Sequence, residues 1–391
     1  MKIYEIGTGY TPIPACMGAA TEIVVEELTK SLTKNEYDVE ILDISTKKRA
    51  ENSLPIREVK VPGFITKDDV SLGIMHKVKR VVYSVALART LKKILRKSED
   101  KVVLHFHNQY NMYFYLKLVP EKLRKKAVTL YTNHSYIWHG EWEEIKDAIS
   151  GRYFQEIAAM KAADYVFVLN EQTKKNIAEN IDLDVSKLHL IDNGVNTGIY
   201  HILEEAELAD YKKKHNLQGK TVFVQVGSVC DRKNQLGAVE LLCPFMKENK
   251  DIVYLYAGGV ISPEYKQQID DFAKEKGIED QVVYFGELVP GAELNKFYNL
   301  ASAMIFPSKA EGFSLVILEA MSAGVPVLIY DSLQFKLSDK CLKFKDADEF
   351  ESIISTQILS DKRAELSANV RKAVVENYSW DIIAEDYIGK I

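Results

Sequence analysis

The sequence predicts an α/β protein made of two doubly wound parallel sheets. Short β-rich runs alternate with segments of helical periodicity along the whole chain, which indicates repeated strand–helix–strand units. Most of the predicted strands are continuous apolar runs, as expected when helices cover both faces of a sheet. A chain of 391 residues is also long for one hydrophobic core, so two domains are expected.

The predicted strands fall into two series separated by a polar segment. The first series lies at residues 2–7, 39–44, 102–107, 127–132, 165–170 and 188–192. The second series lies at residues 221–227, 252–259, 282–287, 303–307 and 325–331. Residues 195–218 between them are rich in turn-forming and charged residues, so we place the junction of the two domains there. Ligands of such sheets bind at the carboxyl ends of the strands, which makes the following loops the candidate sites.

The composition excludes several classes of protein. A hydrophobic fraction of 47% and a charged fraction of 27% are ordinary for a globular protein. The four cysteines have no CxxC spacing, which indicates neither a zinc site nor a disulfide framework. The first residues lack the pattern of a signal peptide, and no apolar run approaches the ~18 residues that span a bilayer. A net charge of −5 without basic–aromatic interleaving argues against a nucleic-acid partner. We expect a cytoplasmic protein.

The stretch PSKAEGFSLVILEAMSAGVPV, residues 307–327, joins a strand end, a glycine loop and a helix. Ser314 is predicted to cap the helix and Gly324 to end it. The N–H groups at the start of such a helix suit a phosphate. Glu311 precedes the helix, whereas Glu319 lies inside it and leans back toward the same ligand. Ribose hydroxyls would be a suitable partner for a carboxylate in so apolar a run. The alternative is that Glu319 is a half-exposed helix residue and Glu311 is a solvated loop residue.

A second charged loop follows the first strand of the second series. Arg232 and Lys233 come shortly after the strand that ends at Gly227, where a helix would begin. Two adjacent cations at this edge of a sheet suit a diphosphate, although charged pairs also occur on ordinary surfaces.

These two loops carry a family resemblance. Glu311 and Glu319 resemble the E-x7-E motif of retaining GT-B glycosyltransferases of family 4, and EGFSLVILEAMSAGVPVL resembles the surroundings of that motif. VGSVCDRKNQ is similar to the family's G-R-L-x-x-x-K-N loop, and NGVNT is similar to its N-G-V-D-T segment. YSWDIIAEDY near the end resembles the family's terminal helix. The similarity extends over most of the chain, and on it the sequence is identified as a member of this family.

The resemblance implies a GT-B fold, in which two Rossmann-like domains enclose an interdomain cleft. Residues 1–198 would form the acceptor side, and residues 199–377 would bind the nucleotide sugar. The C-terminal helix, from about residue 378 to residue 391, would return to the first domain.

The resemblance also implies roles for the matched residues of the second half. Lys233 would neutralise the donor diphosphate, Glu319 would bind the ribose, and Glu311 would contact hydroxyls of the donor sugar. Leu288, in the loop after residues 282–287, would contact the base. The remaining donor contacts would come from Gly227, Gly312 and the backbone N–H groups of Phe313, Ser314 and Leu315.

One departure from the family pattern concerns the diphosphate. The family usually has arginine where this sequence has Ser228, so one of the two expected cations is absent there. Our hypothesis is that Arg232 compensates for it.

The first half contributes a glycine loop and several histidines. The loop GTGYTPIPACMGAA lacks G-x-G-x-x-G spacing, which disfavours a nicotinamide cofactor. By resemblance, Gly18 and Ala19 would lie near the phosphates and the acceptor. His134 resembles the family histidine that closes on the donor sugar, and His107 and Asn108 follow a strand where an acceptor would be met.

We expect neither a metal nor a cofactor. His105 and His107 share one face of a strand, but the sequence places no carboxylate beside them, so His105 is interpreted as a packed core residue. The Asp-x-Asp triplets at 182–184 and 346–348 lie in polar segments and are interpreted as surface turns. Lys233 and a helix dipole would stabilise a diphosphate leaving group without a metal.

A basic helix is predicted at residues 76–97, which contain eight Lys and Arg residues and no acidic residue. Its apolar stripe consists of Tyr83, Leu87, Leu91 and Ile94, and its opposite face carries Arg89, Lys93 and Arg96. Such a helix can lie on the inner face of an anionic membrane. The interpretation that we favour is a helix that covers the sheet with its apolar stripe.

Taken together, the resemblance implies a retaining hexosyltransferase. The donor would be a nucleoside diphosphate sugar, with UDP favoured over GDP and ADP, and the acceptor would be a sugar, a lipid-linked sugar or another small molecule. The expected setting is the synthesis of cell-envelope glycans, glycolipids or related glycoconjugates. The alternatives are a nucleotide-sugar epimerase of the same fold, a non-catalytic binding protein and, least favoured, an NAD dehydrogenase.

Overall fold

The chain divides into two compact units in the computed structural model, which describes residues 1–14, 19–47, 49–63, 65, 74–311, 313–333 and 336–391. The first unit consists of Met1–Asn193 and Trp380–Ile391, and the second unit is Gly194–Ser379.

The strands form one parallel sheet in each unit. In chain order the strands are β1 Ile3–Ile6, β2 Val39–Ile44, β3 Ile56–Val59, β4 Val102–Phe106, β5 Ala127–Asn133, β6 Tyr165–Val168, β7 Leu188–Leu190, β8 Thr221–Val226, β9 Ile252–Ala257, β10 Val282–Gly286, β11 Ala303–Phe306, β12 Val327–Tyr330 and β13 Leu342–Phe344. The strand order is β3-β2-β1-β4-β5-β6-β7 in the first unit and β10-β9-β8-β11-β12-β13 in the second. The predicted fold class of two doubly wound parallel sheets is therefore confirmed.

Helices lie between most pairs of successive strands, and the last three helices follow β13. In chain order they are α1 Ala20–Lys34, α2 Ile74–Lys97, α3 Gln109–Leu118, α4 Glu121–Arg124, α5 Trp142–Arg152, α6 Phe154–Ala162, α7 Glu171–Asn180, α8 Glu205–Lys214, α9 Gln235–Glu248, α10 Pro263–Lys276, α11 Ala292–Asn299, α12 Leu315–Ser322, α13 Ala347–Ile353, α14 Arg363–Asn377 and α15 Trp380–Gly389. Among the helices within the described ranges, none is both long and apolar enough to cross a membrane.

The sequence prediction missed two strands, β3 and β13. Each is the outermost strand at one edge of its sheet and is only three or four residues long. Arg57 and Glu58 of β3 are exposed, and β13 carries Lys343 at its centre. Charged side chains are common on edge strands, where they discourage pairing with other molecules. Such strands lack the continuous apolar run that identified the central strands.

The C-terminal helix α15 belongs to the first unit and packs against α1. Ser31 Oγ donates a hydrogen bond of 2.6 Å to Asp381, and Asn35 Nδ2 donates one of 2.7 Å to Glu385. Tyr387 of α15 is buried beside the sheet. The helix thus contributes to the core of the first unit from the far end of the sequence.

The basic helix α2 covers the first sheet, which was the favoured interpretation. The predicted stripe of Tyr83, Leu87, Leu91 and Ile94 is buried in the core of the first unit. Arg89, Lys93 and Arg96 are exposed on the other side. The apolar stripe is therefore already used within the unit.

The two Asp-x-Asp triplets cap local turns, as predicted. Asp184 accepts a hydrogen bond of 3.0 Å from the Ser186 N–H, and Asp346 caps α13 by accepting one of 3.0 Å from the Glu349 N–H. These carboxylates satisfy backbone donors at the surface.

Candidate functional site

Several of the predicted donor residues lie in two neighbouring loops of the second unit. The chain leaves β8 toward β9 on one side of the sheet and later enters β11 on the other side of β8. The loops after β8 and β11 therefore start side by side at the switch point of the sheet, where doubly wound proteins bind ligands. Arg232 and Lys233 are in the first loop, and Glu311 is in the second.

The two loops are joined at Glu311. Its Oε1 atom lies 2.8 Å from Lys233 Nζ and 2.8 Å from the Arg232 guanidinium. Ser308 Oγ donates a further hydrogen bond of 2.5 Å to the same oxygen. Glu311 is only 7% exposed, so it is buried together with the charges that neutralise it. Two cations and one carboxylate leave this cluster with a net positive charge, which suits a diphosphate.

Backbone contacts also tie the loops together. Lys309 N–H donates a hydrogen bond of 2.9 Å to the Arg232 carbonyl, and the Arg232 guanidinium donates one of 2.9 Å to the Ala310 carbonyl. Asn234 Nδ2 lies 3.2 Å from the Pro307 carbonyl. These contacts hold the cations beside Glu311 through both main chain and side chain.

Lys233 lies in a confined position made by Gly227. The backbone of Gly227 has φ of 150°, and a Cβ atom there would come within 3.2 Å of Lys233 Cε. The Lys233 ammonium lies 4.8 Å from the centre of the Phe306 ring. Burial lowers the pKa of Lys233, although the neighbouring Glu311 opposes this shift. Gly227 thus provides space for a lysine that sits at the end of β8.

Helix α12 begins at Leu315, next to this cluster in sequence. Ser314 occupies the predicted N-cap position, but its side chain makes no capping hydrogen bond. Within the part of the chain that the structure describes, the N–H groups of Ser314 and Leu315 have no hydrogen-bond partner. Unpaired donors at a helix start are available to an anion. Phe313 is partly buried against the core, and the predicted contact Gly312 lies outside the described residues.

Glu319 is buried inside α12 and is held by tyrosines. Tyr298 OH donates a hydrogen bond of 2.8 Å to Glu319 Oε2, and Tyr200 is a second hydrogen-bonding neighbour. Burial raises the pKa of Glu319 to about 7, and these two hydrogen bonds only partly offset it. These tyrosines provide the polar partners that a carboxylate in so apolar a run requires, and the sequence did not identify them.

Two further positions singled out in the sequence, Leu288 and Ser228, lie outside the cluster. Leu288 follows β10 and is partly buried against the core of the second unit. Ser228 follows Gly227, and its carbonyl accepts a hydrogen bond of 3.0 Å from Gln235 Nε2. The Ser228 side chain brings no positive charge to the site, so Arg232 and Lys233 are the cations that contact Glu311.

A buried row of polar side chains crosses the first unit. His105 Nδ1 lies 3.0 Å from Glu5 Oε1, and His107 Nε2 lies 2.8 Å from Glu5 Oε2. His107 Nδ1 lies 3.0 Å from His134 Nε2. At the other end, His105 Nε2 is 2.8 Å from Thr132 Oγ1. We call Thr132, His105, Glu5, His107 and His134 the buried network.

The charges of the buried network are set by burial and by its own contacts. Burial alone would raise the pKa of Glu5, but His105 and hydrogen bonds from both histidines outweigh burial and lower it to about 2. Burial and repulsion by His105 lower the pKa of His107 to about 4 despite Glu5. Burial, with repulsion by His107 and His105, holds the pKa of His134 well below its usual value. Glu5 is therefore ionised at neutral pH, whereas His107 and His134 are neutral.

Glu5 corrects one expectation from the sequence, which placed no carboxylate near the histidines. Glu5, His105 and His107 offer three ligand-type atoms within 4.8 Å of one another. Each of these atoms already takes part in a hydrogen bond of the buried network. A glutamate within the apolar strand IYEI was a signal in the sequence, because a buried charge requires a partner.

The other predicted residues of the first unit have local roles. Asn108 caps α3 by accepting a hydrogen bond of 2.9 Å from Tyr110 N–H, and its amide donates one of 2.9 Å to Tyr10 OH. Ala19 is the residue before α1 and makes no side-chain cap. Gly18 lies outside the described residues.

Models of two glycosyltransferase families match the two halves of the chain. The model described as Glycosyltransferase Family 4 matches residues 21–198, and the model described as Glycosyl transferases group 1 matches residues 209–336. An uncharacterized glycosyltransferase of Methanocaldococcus jannaschii is 25% identical over 257 residues, which cover 61% of this chain and 64% of that protein. The match therefore spans slightly less than two thirds of that relative.

Solved structures of the same overall fold cover the whole chain. A sucrose-phosphate synthase from Thermosynechococcus elongatus superposes with a TM-score of 0.74 at 20% identity and covers 100% of this chain and 98% of its own. Anabaena HepE in complex with UDP and glucose superposes with a TM-score of 0.71 at 13% identity, with 100% and 98% covered.

Proposed function

We propose that this chain, whose two halves match models of two glycosyltransferase families, transfers a sugar from a nucleoside diphosphate donor to an acceptor with retention of anomeric configuration. The observation that carries the proposal is the cluster of Glu311 with Lys233 and Arg232 at the switch point of the second sheet. A buried, net positive cluster next to unpaired helix N–H groups is suited to a diphosphate.

The chemistry requires stabilisation of a departing diphosphate. As the bond from the sugar C1 to the diphosphate oxygen breaks, negative charge grows on the leaving group, and Lys233 and Arg232 stabilise it. The N–H groups of Phe313, Ser314 and Leu315 supply further donors. The acceptor oxygen then bonds to C1 on the same face, and its proton passes to the leaving phosphate. No metal or enzyme nucleophile is assigned.

The donor is assigned to the second unit. Glu319 binds the ribose hydroxyls, Leu288 contacts the base, and Glu311 contacts hydroxyls of the sugar. UDP is the favoured nucleotide, and the UDP held by the similar HepE protein supports this choice.

The acceptor side is assigned to the first unit. His134 contacts the donor sugar, and the segments around Ala19 and around His107 and Asn108 meet the acceptor. The acceptor class is a sugar, a lipid-linked sugar or another small molecule, in the synthesis of cell-envelope or related glycoconjugates.

A donor panel tests the function. Purified full-length protein is incubated with UDP-, GDP- and ADP-sugars, first alone and then with sugar and lipid-linked sugar acceptors. We expect the nucleotide sugars of one base to raise the melting temperature of the protein. When an acceptor is added, the same nucleotide sugars should be converted to free nucleoside diphosphate. Isomerised sugar from the donor alone would establish an epimerase instead. Binding with neither transfer nor hydrolysis across the panel would establish a non-catalytic binding protein.

Contact with a membrane is a separate part of the proposal. The apolar stripe of α2 is buried, so contact would use only the exposed basic face that carries Arg89, Lys93 and Arg96. Such binding is electrostatic and weakens as salt screens the charges. We expect co-sedimentation with anionic vesicles that falls when these three residues are replaced by glutamine. Unchanged co-sedimentation of that variant would remove α2 as the membrane-binding surface.

A further inference from the structure

The buried network connects three neighbouring strands of the first sheet and ends at His134. Glu5 lies on β1, His105 on β4, and Thr132 on β5, and these strands are adjacent in the order β1-β4-β5. Glu5, His105 and His107 are buried, whereas His134 is partly exposed. The network therefore runs from the interior of the unit to a side chain that a ligand can reach.

The hydrogen bonds of the network have only one consistent direction toward His134. An ionised carboxylate can only accept hydrogen bonds, so both ring nitrogens that contact Glu5 must carry protons. His107 therefore carries its proton on Nε2, 2.8 Å from Glu5 Oε2. Because His107 is neutral, its Nδ1 atom has a lone pair and accepts. The nitrogen that donates to it, across 3.0 Å, is His134 Nε2.

This direction does not depend on the charge of His105. His105 Nδ1 donates to Glu5 whether or not the other ring nitrogen carries a proton. Thr132 lies 2.8 Å from His105 Nε2 and can either donate or accept there, because a hydroxyl does both. The polarity on the His134 side is thus fixed by Glu5 through His107.

We propose that Glu5 and His107 are positioning residues that keep the proton of His134 on Nε2, so that Nδ1 is offered as a hydrogen-bond acceptor to a substrate hydroxyl. The inference rests on the proposed function, in which His134 contacts the donor sugar. Nδ1 of His134 has no hydrogen-bond partner among the residues that the structure describes. A sugar hydroxyl is a donor of the required kind, whereas a phosphate oxygen can only accept and would be rejected.

A neutral acceptor also suits the reaction. The transferred sugar develops positive charge as the diphosphate leaves, and a lone pair is compatible with this charge, whereas an imidazolium would oppose it. The negative charge of Glu5 reaches His134 through His107 as hydrogen bonds polarise one another.

The inference is tested by NMR on the full-length protein with 15N-labelled histidine. The 15N shifts identify the protonated nitrogen of each ring, and a coupling between the two nitrogens of an N–H···N hydrogen bond identifies its donor and acceptor. We expect His134 Nε2 as donor and His107 Nδ1 as acceptor. Resonances are assigned with single His→Gln variants. The reverse polarity, or the absence of the coupling, in the wild-type protein would overturn the proposal without any variant.

Two variants separate positioning from structural support. Glu5→Leu removes the acceptor of His107, so we expect the coupling to His134 to disappear. Tyr387→Phe is the matched control, because Tyr387 OH lies 3.3 Å from Thr132 Oγ1 at the other end of the network and does not contact His107. The control should retain the coupling. Retention of the coupling in folded Glu5→Leu protein would overturn the role of Glu5.

Kinetics then distinguishes this inference from the proposed function. With the donor identified by the panel, we expect Glu5→Leu to lower kcat about 10- to 100-fold, as for loss of one well-placed hydrogen bond, while the affinity for UDP in the second unit stays unchanged. An unchanged kcat would overturn the inference. If the wild-type protein transferred no sugar at all, the proposed function would fail, and the NMR result alone would decide the polarity of the network.

Discussion

The carboxylate of Glu311 lies 2.8 Å from the ammonium of Lys233, and both residues are less than a tenth exposed. Arg232 approaches the same oxygen at 2.8 Å. The two cations are therefore paired with the glutamate. A bound diphosphate would have to share these cations with Glu311, so we expect the glutamate to reduce the affinity for the nucleotide.

Replacement of Glu311 should separate nucleotide binding from transfer. In Glu311→Gln the cations lose their nearby negative charge, so we expect UDP to bind several-fold more tightly. Transfer should fall by about 100-fold or more, because the proposed contact of Glu311 with the donor sugar is lost. Titration calorimetry and single-turnover kinetics provide the two measurements. Weaker UDP binding by this variant would contradict the idea that Glu311 competes with the diphosphate.

Lys233→Met should weaken nucleotide binding. The loss of one charge-assisted hydrogen bond to a phosphate corresponds to about 1.5–3 kcal/mol, or roughly 10- to 150-fold in affinity. Lys309→Met is the matched control, because Lys309 pairs with Asp231 in the same loops but both side chains are more than half exposed. The control should bind UDP within about twofold of the wild-type protein. Equal losses in both variants would indicate a general effect of charge on the loops.

Arg232 tests the departure from the family pattern at Ser228. If Arg232 supplies the second cation, Arg232→Ala should lower UDP affinity about tenfold, and Arg232→Lys should recover only part of it because lysine keeps the charge but lacks the planar pair of donors that binds a phosphate through two hydrogen bonds. The double variant Arg232→Ala/Ser228→Arg should regain affinity by restoring arginine at the family position. Unchanged affinity in Arg232→Ala would show that Lys233 alone suffices.

The donor loops were predictable from the sequence, whereas the partners of their side chains were not. Lys233 and Glu311 could be assigned to one edge of a sheet because each follows an apolar strand. Their direct contact depends on β8 and β11 being neighbours, which the order of strands along the chain does not reveal. The same holds for Glu5, which meets His105, 100 positions further along the chain, because β1 and β4 pair. Short charged edge strands such as β3 left no periodic signal at all.

The buried carboxyl of Glu319 should make stability depend on pH. Its pKa is about 7 in the folded protein, above the unfolded value of about 4.3, so its favourable contribution is complete below pH ~4 and is lost as the pH rises through 7. Glu319→Gln removes this titration. We expect the variant to have a higher melting temperature than the wild-type protein at pH 8. This difference in melting temperature should shrink toward pH 5. A difference that is constant with pH would contradict the raised pKa.

Binding of UDP should release protons through Glu319 near pH 7. Ribose hydroxyls donate hydrogen bonds, and donors favour the ionised carboxylate, so a bound ribose should lower the pKa of Glu319 from about 7. A carboxyl that is about half protonated before binding would then lose up to about half a proton for each UDP bound. Calorimetry in buffers of different ionisation enthalpy measures this number. Glu319→Gln is the control, since any proton released by the UDP phosphate itself persists in that variant. Equal proton release by both proteins would show that the ribose does not contact Glu319.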